Sequence, residues 1–305
     1  MANPEINVAD AERFLRARFE AVTAVELLKG GSWSTAFGFR SAERSLVVRF
    51  GRYGEDYQKD RIAGGWARPR LPAPTVVEIG DAFEGAYAIS TRLTGEPIDR
   101  LPPERLARAI DSLLDTLAVV HEVVLPGRGY GMWAAPAGDA PHRTWRDFMT
   151  AVAHRDDDRL RGWRERLAAV PMAQTVFDRA NRVLESGGPG AYGRHVVHSD
   201  LLYGNVLVSS DNRVSGVFDW GNSLAGDPVY DLAWLMFWAP WHPGIDAAHV
   251  RDVAEERYGS ADLGERLVHC QLHIAAETMQ YQAFAGLRAD LEATAGHATR
   301  LLDTL

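Results

Sequence analysis

The residues best suited to chemistry lie in one segment, residues 196–235, which reads VVHSDLLYGNVLVSSDNRVSGVFDWGNSLAGDPVYDLAWL. Asp200 and Asn205 are five residues apart on one predicted loop, and Asp219 follows a second short apolar run. A carboxylate and a carboxamide on one loop can converge with another carboxylate around a hard divalent cation. Asn205 and Asp219 would then be oxygen ligands of Mg²⁺, and Asp200 would be free to accept a proton from a hydroxyl nucleophile. The segment therefore predicts phosphoryl transfer.

The elements that must position these residues follow from hydrophobic spacing and from the turn residues between them. Asn7 is a predicted N-cap for an amphipathic helix over residues 8–19. Short β-branched and aromatic runs then predict three strands, a helix over residues 55–68 stopped by LPAP at 71–74, and two more strands with a hairpin turn at 81–85. From residue 96 onward most segments are helical, with short strands between predicted helices at 171–186 and 228–238. We therefore expect two lobes, residues 1–95 and 96–305.

Composition and charge restrict the class of protein and of partner. The chain has 305 residues, of which 46% are hydrophobic and 24% are charged, as in globular proteins with a full core. Its net charge of −8 disfavours nucleic acid and anionic membranes and favours a cationic partner. The single cysteine, Cys270, excludes an intramolecular disulfide, and the first residues lack the basic and apolar parts of a signal peptide. We expect a cytoplasmic protein that does not span a membrane, and a monomer.

Three motifs resemble those of the aminoglycoside phosphotransferase family. H-S-D-L-L-Y-G-N is similar to the family's catalytic loop, V-F-D-W to its magnesium-binding segment and GDPVYDLA to the start of the following helix, and the resemblance extends over most of the chain. It implies an α+β, protein-kinase-like fold of two lobes, with an antiparallel sheet and helices in the first and mostly helices in the second. It also implies Asp200 as catalytic base, Asn205 and Asp219 as metal ligands, and His198 as a brace for the loop.

The same resemblance assigns the nucleotide side to the first lobe. A kinase strand usually carries a lysine for the α- and β-phosphates, but here the strand reads LVVRF and Arg49 takes that place. The helix carboxylate that orients it would be Asp60, with Glu55 and Asp56 as alternatives. The competing interpretation of Arg49 is a solvated arginine on an edge strand. Two further carboxylates, Asp227 and Asp231 in GDPVYDLA, are expected to cap and pin the next helix.

Two further nucleotide contacts are implied by the fold that the chain resembles. The turn from Gly30 to Ser34 would lie over the triphosphate, with Ser32 and Ser34 as its polar side chains, although a plain hairpin also explains it. Backbone groups of Thr91 and Leu93 would bind the purine at the hinge, where Ser90 takes the gatekeeper place. Backbone contacts leave no side-chain signature, so ATP and GTP both remain open as phosphoryl donors.

The sequence determines the acceptor and the residues that bind it less well than it determines the catalytic residues. Within the family, TWRDF and the segment WAPW are most similar to the branch that phosphorylates hygromycin B, so the implied acceptor is that aminoglycoside or a relative. Trp238, Trp241 and Glu277 are the candidate substrate residues, with packing in the core as the alternative for the two tryptophans. Other open functions are a kinase of choline, homoserine, an amino sugar or a macrolide, a nucleotide-binding module without catalysis, and a metal-dependent hydrolase.

Overall fold

A computed structural model of the chain describes residues 6–28, 31, 33–154, 158–187 and 193–305. The predicted role of Ser32 lies outside these residues. The helices are α1 (Val8–Arg16), α2 (Gly54–Gly64), α3 (Pro103–His121), α4 (Trp145–Ala151), α5 (Trp163–Ala168), α6 (Pro171–Ser186), α7 (Val229–Trp238), α8 (Ala247–Tyr258), α9 (Leu263–Ala285) and α10 (Arg288–Leu302). The strands are β1 (Val22–Leu27), β2 (Ser34–Ser41), β3 (Arg44–Gly51), β4 (Val76–Ala82), β5 (Gly85–Thr91), β6 (Glu96–Pro97), β7 (Gly131–Met132), β8 (His195–Val197), β9 (Val206–Val208), β10 (Val214–Val217) and β11 (Leu224–Gly226).

The first unit contains residues 1–123, 134–138 and 200–223 and is organised by an antiparallel sheet. Its strands pair in the order β1, β2, β3, β5, β4, so β3 is the central strand. The predicted order of one helix, three strands, one helix and two strands is confirmed. The Asn7 side chain accepts from the Asp10 backbone N–H, which confirms the predicted cap of α1.

The two faces of this sheet are covered by different helices. Leu46, Val48 and Phe50 of β3 join an aromatic core that packs against α1. Successive side chains of a strand point to opposite faces, so Arg49 lies on the other face, on the same side as Tyr57 of α2. Burying the three apolar side chains stabilises β3 by about 1.5–3 kcal/mol each. Arg49 is thus positioned by the alternation of its own strand.

Helix α2 ends earlier than the sequence predicted, at Gly64 rather than near residue 68. Prolines 72 and 74 do not stop it, since seven residues lie between its last residue and Pro72. A Cβ at Gly64 would lie 2.6 Å from the Pro74 carbonyl oxygen, so the chain passes too close here for another residue type. Glycine also weakens a helix interior by about 1 kcal/mol relative to alanine, and two in succession end it.

A second, three-stranded sheet of the first unit brings in the catalytic-loop region. It has the order β10, β9, β6, and β9 and β10 form an antiparallel hairpin. The predicted strands in NVLVS and VSGVFDW are confirmed, whereas the two-residue β6 was not foreseen. Asn205 directly precedes β9, and Asp219 follows β10 by two residues. The hairpin therefore presents both predicted metal ligands at the same end.

The second unit contains residues 124–133, 139–199 and 224–305 and is mostly helical. The long helix α9 packs against α5, α6, α7 and α10, and the unit also contains a small sheet of order β7, β11, β8. Arg266 of α9 forms a bidentate ion pair with Asp227, at 2.8 and 3.0 Å, and both side chains are almost fully buried. This pair fixes the segment that leads into α7.

The division into units does not coincide with the lobe boundary predicted near residue 95. Residues 96–123 and 200–223 pack with the first sheet rather than with the helical unit. Two hydrogen bonds cross the predicted boundary: Arg68 donates to the Val119 carbonyl oxygen of α3 at 2.7 Å, and the Val217 N–H of β10 donates to the Pro72 carbonyl oxygen at 2.8 Å. In the described part of the chain, no helix is both long and apolar enough to cross a membrane.

Candidate active site

Asp200 is half-buried and lies on a loop stabilised by its own polar groups. The Asn205 amide donates to the Asp200 carbonyl oxygen at 2.9 Å. Tyr203 and Gly204, with φ of 62° and 96°, are both left-handed, which turns the chain back toward β9. Asn222 donates from Nδ2 to Asp200 Oδ2 at 3.3 Å and so orients the carboxylate.

The environment of Asp200 changes its acidity. Burial, and after it the Asp219 carboxylate, raise the pKa of Asp200 to about 7, although hydrogen bonds from Asn222 and Asn205 act in the opposite direction. A carboxylate of this pKa is a much stronger base than an exposed aspartate and still deprotonates near neutral pH. General bases work best when their pKa lies near the operating pH. The group is therefore suited to accept a proton from a hydroxyl.

Asp219 lies close to Asn205, as predicted. The Phe218 backbone N–H donates to the Asn205 carbonyl oxygen at 3.1 Å, so the residue before Asp219 is bonded to the other candidate ligand. Asp219 has a φ of 67°, a conformation that is costly for a residue other than glycine and is typical of functional sites. Its side chain is 47% exposed, so the carboxylate remains accessible to a ligand.

Arg49, Asp60 and Asp219 form what we call the β3–α2 network. The Arg49 guanidinium makes a close ion pair with Asp60 Oδ2 and lies 3.6 Å from Asp219 Oδ1. The Tyr57 ring lies beneath it, 5.0 Å from the guanidinium carbon. Burial alone would lower the pKa of Arg49, but the carboxylates of Asp60 and Asp219 outweigh it and raise that pKa. The alternative of a solvated edge-strand arginine is wrong, because β3 is central and only 16% of the side chain is exposed.

The candidate metal ligands fit Mg²⁺ by their chemistry. The Asn205 amide nitrogen donates to the Asp200 carbonyl oxygen, so the amide oxygen Oδ1 points away from that bond. Such an oxygen is a hard ligand of the kind that Mg²⁺ prefers. Partial burial raises the pKa of Asp219 to about 6 and Arg49 opposes it, while the carboxylates of Asp60 and Asp56 add to the rise. A cation would relieve this crowding of negative charge. Mg²⁺ is commonly held by one or two protein groups together with waters and substrate phosphates.

A richer metal centre is not present in the part of the chain that the structure describes. No group of three or more histidine, cysteine, aspartate or glutamate side chains converges there. A hydrolytic zinc site typically needs three protein ligands of these types. The alternative of a metal-dependent hydrolase therefore lacks a site among the described residues.

Two residues that join this site were not predicted as part of it. Lys59 of α2 donates from Nζ to the carbonyl oxygens of Gly221 and Ser223, and Asn222 contacts Asp200. The sequence offered one signal for Lys59, since the chain has only two lysines and one of them directly precedes Asp60. For Asn222 the sequence offered no signal other than its position three residues after Asp219.

The other residues that were predicted to bind the nucleotide lie at or near the ends of strands. Ser34 begins β2 and pairs with Gly51, two residues beyond Arg49. The Thr91 backbone N–H donates to the Thr75 carbonyl oxygen at 3.0 Å, so this donor is used within the protein. The predicted purine contact of the Thr91 backbone would therefore use its carbonyl oxygen, and it stays a prediction. Ser90 is buried, and Leu93 lies close to Gly216.

In the second unit, Asp231 differs from the cap that the sequence predicted. It is fully buried on α7, and its two oxygens accept the backbone N–H groups of His198 and Ser199 at 3.0 and 2.8 Å. It therefore holds the chain that leads into the catalytic loop rather than capping its own helix. Asp227 does accept from the Val229 N–H, but its main partner is Arg266. The side chain of His198 is also fully buried.

The candidate acceptor residues separate into different environments. Phe237, Trp238, Trp241 and His297 form what we call the aromatic cluster, with ring centroids 5.0–6.0 Å apart. Trp238 is only 6% exposed and belongs to the core, whereas Trp241 is 38% exposed. Glu277 is part-buried and lies 3.5 Å from the Tyr230 hydroxyl. Of the two tryptophans, only Trp241 has surface to offer a ligand.

The chain is similar in sequence to a family of phosphotransferases and to two of the family's known kinases. A family model described as the phosphotransferase enzyme family, APH, matches residues 24–269. Hygromycin-B 4-O-kinase of Escherichia coli is 30% identical over 244 residues, which are 79% of this chain and 70% of that protein. Streptomycin 3''-kinase of Streptomyces griseus is 28% identical over 272 residues, which are 81% of this chain and 93% of that protein.

Solved structures agree with the family model. A thermostable mutant of aminoglycoside phosphotransferase APH(4)-Ia, in a ternary complex with AMP-PNP and hygromycin B, superposes with a TM-score of 0.81 at 26% identity. The match covers 96% of this chain and 97% of that one. The GDP complex of a mutant aminoglycoside 2'-phosphotransferase-IIIa gives a TM-score of 0.63 at 16% identity, covering 98% and 97% of the two chains, and shows a shared fold.

Proposed function

Because the chain belongs to the phosphotransferase enzyme family, we propose that it transfers the γ-phosphoryl group of ATP or GTP to a hydroxyl of an aminoglycoside. Hygromycin B or a relative is the first candidate acceptor, supported by the 30% identity to a hygromycin-B kinase. The structural observation that carries the proposal is the β3–α2 network beside Asp200 and Asn205, all within one compact unit.

In this proposal Asp200 is the catalytic base. It accepts the proton of the acceptor hydroxyl as the oxygen attacks the γ-phosphorus in line with the leaving diphosphate oxygen. The pKa of about 7 supports this role, because the carboxylate can take up a proton near neutral pH. The hydrogen bond from Asn222 supports it as well, because it fixes one carboxylate oxygen and so sets the orientation of the whole carboxylate group.

The nucleotide side is assigned to residues of the first sheet and of the hairpin. Asn205 and Asp219 would hold Mg²⁺, which when bound offsets the negative charge of the phosphates. Arg49 binds phosphate oxygens as a permanently charged, bidentate donor, and Asp60 orients it. Ser34 would lie over the triphosphate in this proposal. The Thr91 carbonyl and the Leu93 backbone bind the purine.

The acceptor side is proposed for the second unit. Trp241 packs on a sugar ring, Glu277 binds an ammonium group of the acceptor, and Trp238 supports Trp241 from the core. His198 braces the loop that carries Asp200. The net charge of −8 favours a polycationic acceptor of this kind. We further propose a cytoplasmic monomer. Its division by function assigns nucleotide binding to residues 1–95 and catalysis and acceptor binding to residues 96–305, and this division differs from that into compact units.

A screen of nucleotide consumption tests the function. Purified protein is given ATP or GTP with Mg²⁺ and one acceptor at a time: hygromycin B, streptomycin, other aminoglycosides, a macrolide, choline, homoserine or an amino sugar. We expect acceptor-dependent consumption with hygromycin B or another aminoglycoside, loss of activity when Mg²⁺ is chelated, and a phosphorylated product by mass spectrometry. Turnover with a non-aminoglycoside acceptor alone would assign a metabolite kinase instead. No transfer to any acceptor would contradict the proposal.

A further inference from the structure

The turn that follows Asp219 is held by α2 at three points. This turn, Trp220–Asn222, is a single 3₁₀ turn in the first unit. The Trp220 N–H donates to Asp60 Oδ1 at 2.8 Å, and Lys59 Nζ donates to Gly221 O at 2.8 Å and to Ser223 O at 3.0 Å. Neighbouring residues of one helix therefore bond the start and the end of the turn.

Packing leaves this turn little freedom to shift. A Cβ at Gly221 would lie 2.9 Å from the Cβ and Cγ atoms of Asp56, so α2 and the turn are in direct contact. Two residues beyond the end of α2, Trp66 contacts Trp220 edge to face, with ring centroids 5.4 Å apart. The position of the turn is thus set by α2, and any displacement of α2 would move it.

A lysine is an unusual residue at position 59, because that position is buried. Lys59 is only 4% exposed, and burying an ammonium group is costly unless strong hydrogen bonds compensate it. Packing alone would be served better by methionine, which has a similar shape and no charge to desolvate. What lysine adds is a charged donor for two carbonyl groups at the end of a short helical turn, where a cation is also electrostatically favourable.

The turn joins the two functional carboxylates of the site. Asp219 directly precedes it, and Asn222 within it donates to Asp200 Oδ2 at 3.3 Å. We propose that Lys59 is a positioning residue for phosphoryl transfer, acting through the turn on Asp219 and, by way of Asn222, on the orientation of Asp200. This inference rests on the proposed function, because it assigns to these carboxylates the roles given above.

The first test compares Lys59→Met with Arg61→Met, which removes a positive charge from the exposed side of the same helix. Steady-state kinetics are measured with the acceptor found in the screen, at a temperature well below the unfolding midpoint of each variant. We expect Lys59→Met to lower kcat roughly 10- to 100-fold, because small misplacements of reacting groups have effects of this size. The Mg²⁺ concentration for half-maximal rate should rise, the KM for the acceptor should stay within about twofold, and Arg61→Met should match the wild type.

A double-mutant cycle tests the route through Asn222. Asn222 is exposed, so Asn222→Ala is expected to fold even where Lys59→Met does not, and its predicted loss in kcat is roughly tenfold. If Lys59 acts by holding Asn222 against Asp200, the double variant loses much less than the product of the two single losses. Effects that multiply fully would show that the two residues act independently and would overturn the route through Asn222.

The outcomes separate this inference from the proposed function. A wild-type protein that turns over its acceptor while Lys59→Met keeps the same kcat and Mg²⁺ dependence contradicts the inference alone. A lower unfolding midpoint with unchanged kcat also contradicts only the inference, since Lys59 would then stabilise the fold without acting on the reaction. A wild-type protein without phosphoryl transfer contradicts the proposed function, and the inference fails with it.

Discussion

The β3–α2 network and the aromatic cluster hold their side chains in different ways. In the network each charged group has a specific partner at ion-pairing distance, so the position of Arg49 depends on Asp60 and Asp219. In the aromatic cluster Trp238 is held by the shapes of neighbouring rings and by burial. This contrast predicts which substitutions remove chemistry and which remove stability: variants of the first region should fold and lose activity, and variants of the second should unfold more easily.

Substitution of Asp200 should have the largest effect on chemistry. Asp200→Ala removes the proposed base, and we expect kcat to fall by about 10³-fold or more, within the range for general bases. Nucleotide binding, measured by calorimetry, and the unfolding midpoint should change little. Asp211→Ala, at an exposed carboxylate of the same unit, is the control and should keep wild-type kinetics. Wild-type turnover in Asp200→Ala would remove Asp200 from the role of base.

Trp238→Ala should show the opposite pattern. Truncation of a buried tryptophan leaves a cavity and lowers the free energy of unfolding by about 3–5 kcal/mol. Trp241→Ala should cost much less stability because 38% of that residue is already exposed. Urea unfolding measures both. If Trp241 binds the acceptor, its replacement raises the KM for the acceptor and leaves the KM for the nucleotide unchanged; equal changes in both would argue against that role.

Arg49 tests whether the network acts on the nucleotide. Arg49→Ala should raise the nucleotide KM and lower kcat, with a combined loss in kcat/KM of roughly 100-fold, as expected for losing a charged, bidentate phosphate contact. Arg49→Lys should recover only part of this loss because an ammonium group cannot contact Asp60 and a phosphate with the same fork geometry. Arg52→Ala, at a nearby exposed arginine, serves as the control. Unchanged nucleotide kinetics in Arg49→Ala would point to another phosphate-binding group.

The aromatic cluster should also make stability depend on pH, by a smaller amount. Burial, and then the Arg300 guanidinium, lower the pKa of His297 to about 4, below its ordinary value near 6.5. The unfolded chain therefore takes up this proton first as the pH falls, so the stabilisation is complete above about pH 6.5 and is lost toward pH 4. The loss at pH 5 should be about 2 kcal/mol. Urea midpoints of His297→Gln should depend less on pH between 7 and 5 than those of the wild type, and parallel curves would exclude His297 as the cause.

Local patterns predicted most of the fold and the central residues of the site. The apolar run LVVRF indicated a strand that carries Arg49, and the spacing of Asp200, Asn205 and Asp219 indicated a loop and an adjoining hairpin that bring them together. These features depend on neighbours within about 20 residues, which a sequence displays directly.

The features that the sequence did not predict depend on distant contacts. Lys59 bonds a carbonyl 162 positions away, and Asp231 bonds N–H groups 32 and 33 positions before it. Backbone atoms carry no residue type, so no motif could identify them as partners. The early end of α2 at Gly64 has the same origin, because it reflects the close passage of Pro74 rather than a local breaker alone.

The guanidinium at position 49 has a consequence for chemical labelling. Nucleotide probes that carry a reactive acyl phosphate modify kinases by acylating the amine beside the phosphates. Arg49 presents no nucleophilic amine at that place, and its raised pKa keeps it protonated at any pH used for such reactions. If Arg49 contacts the phosphates as proposed, a probe of this kind would bind and leave Arg49 unmodified, so any acylation of this chain beside the nucleotide would have to occur at one of its two lysines.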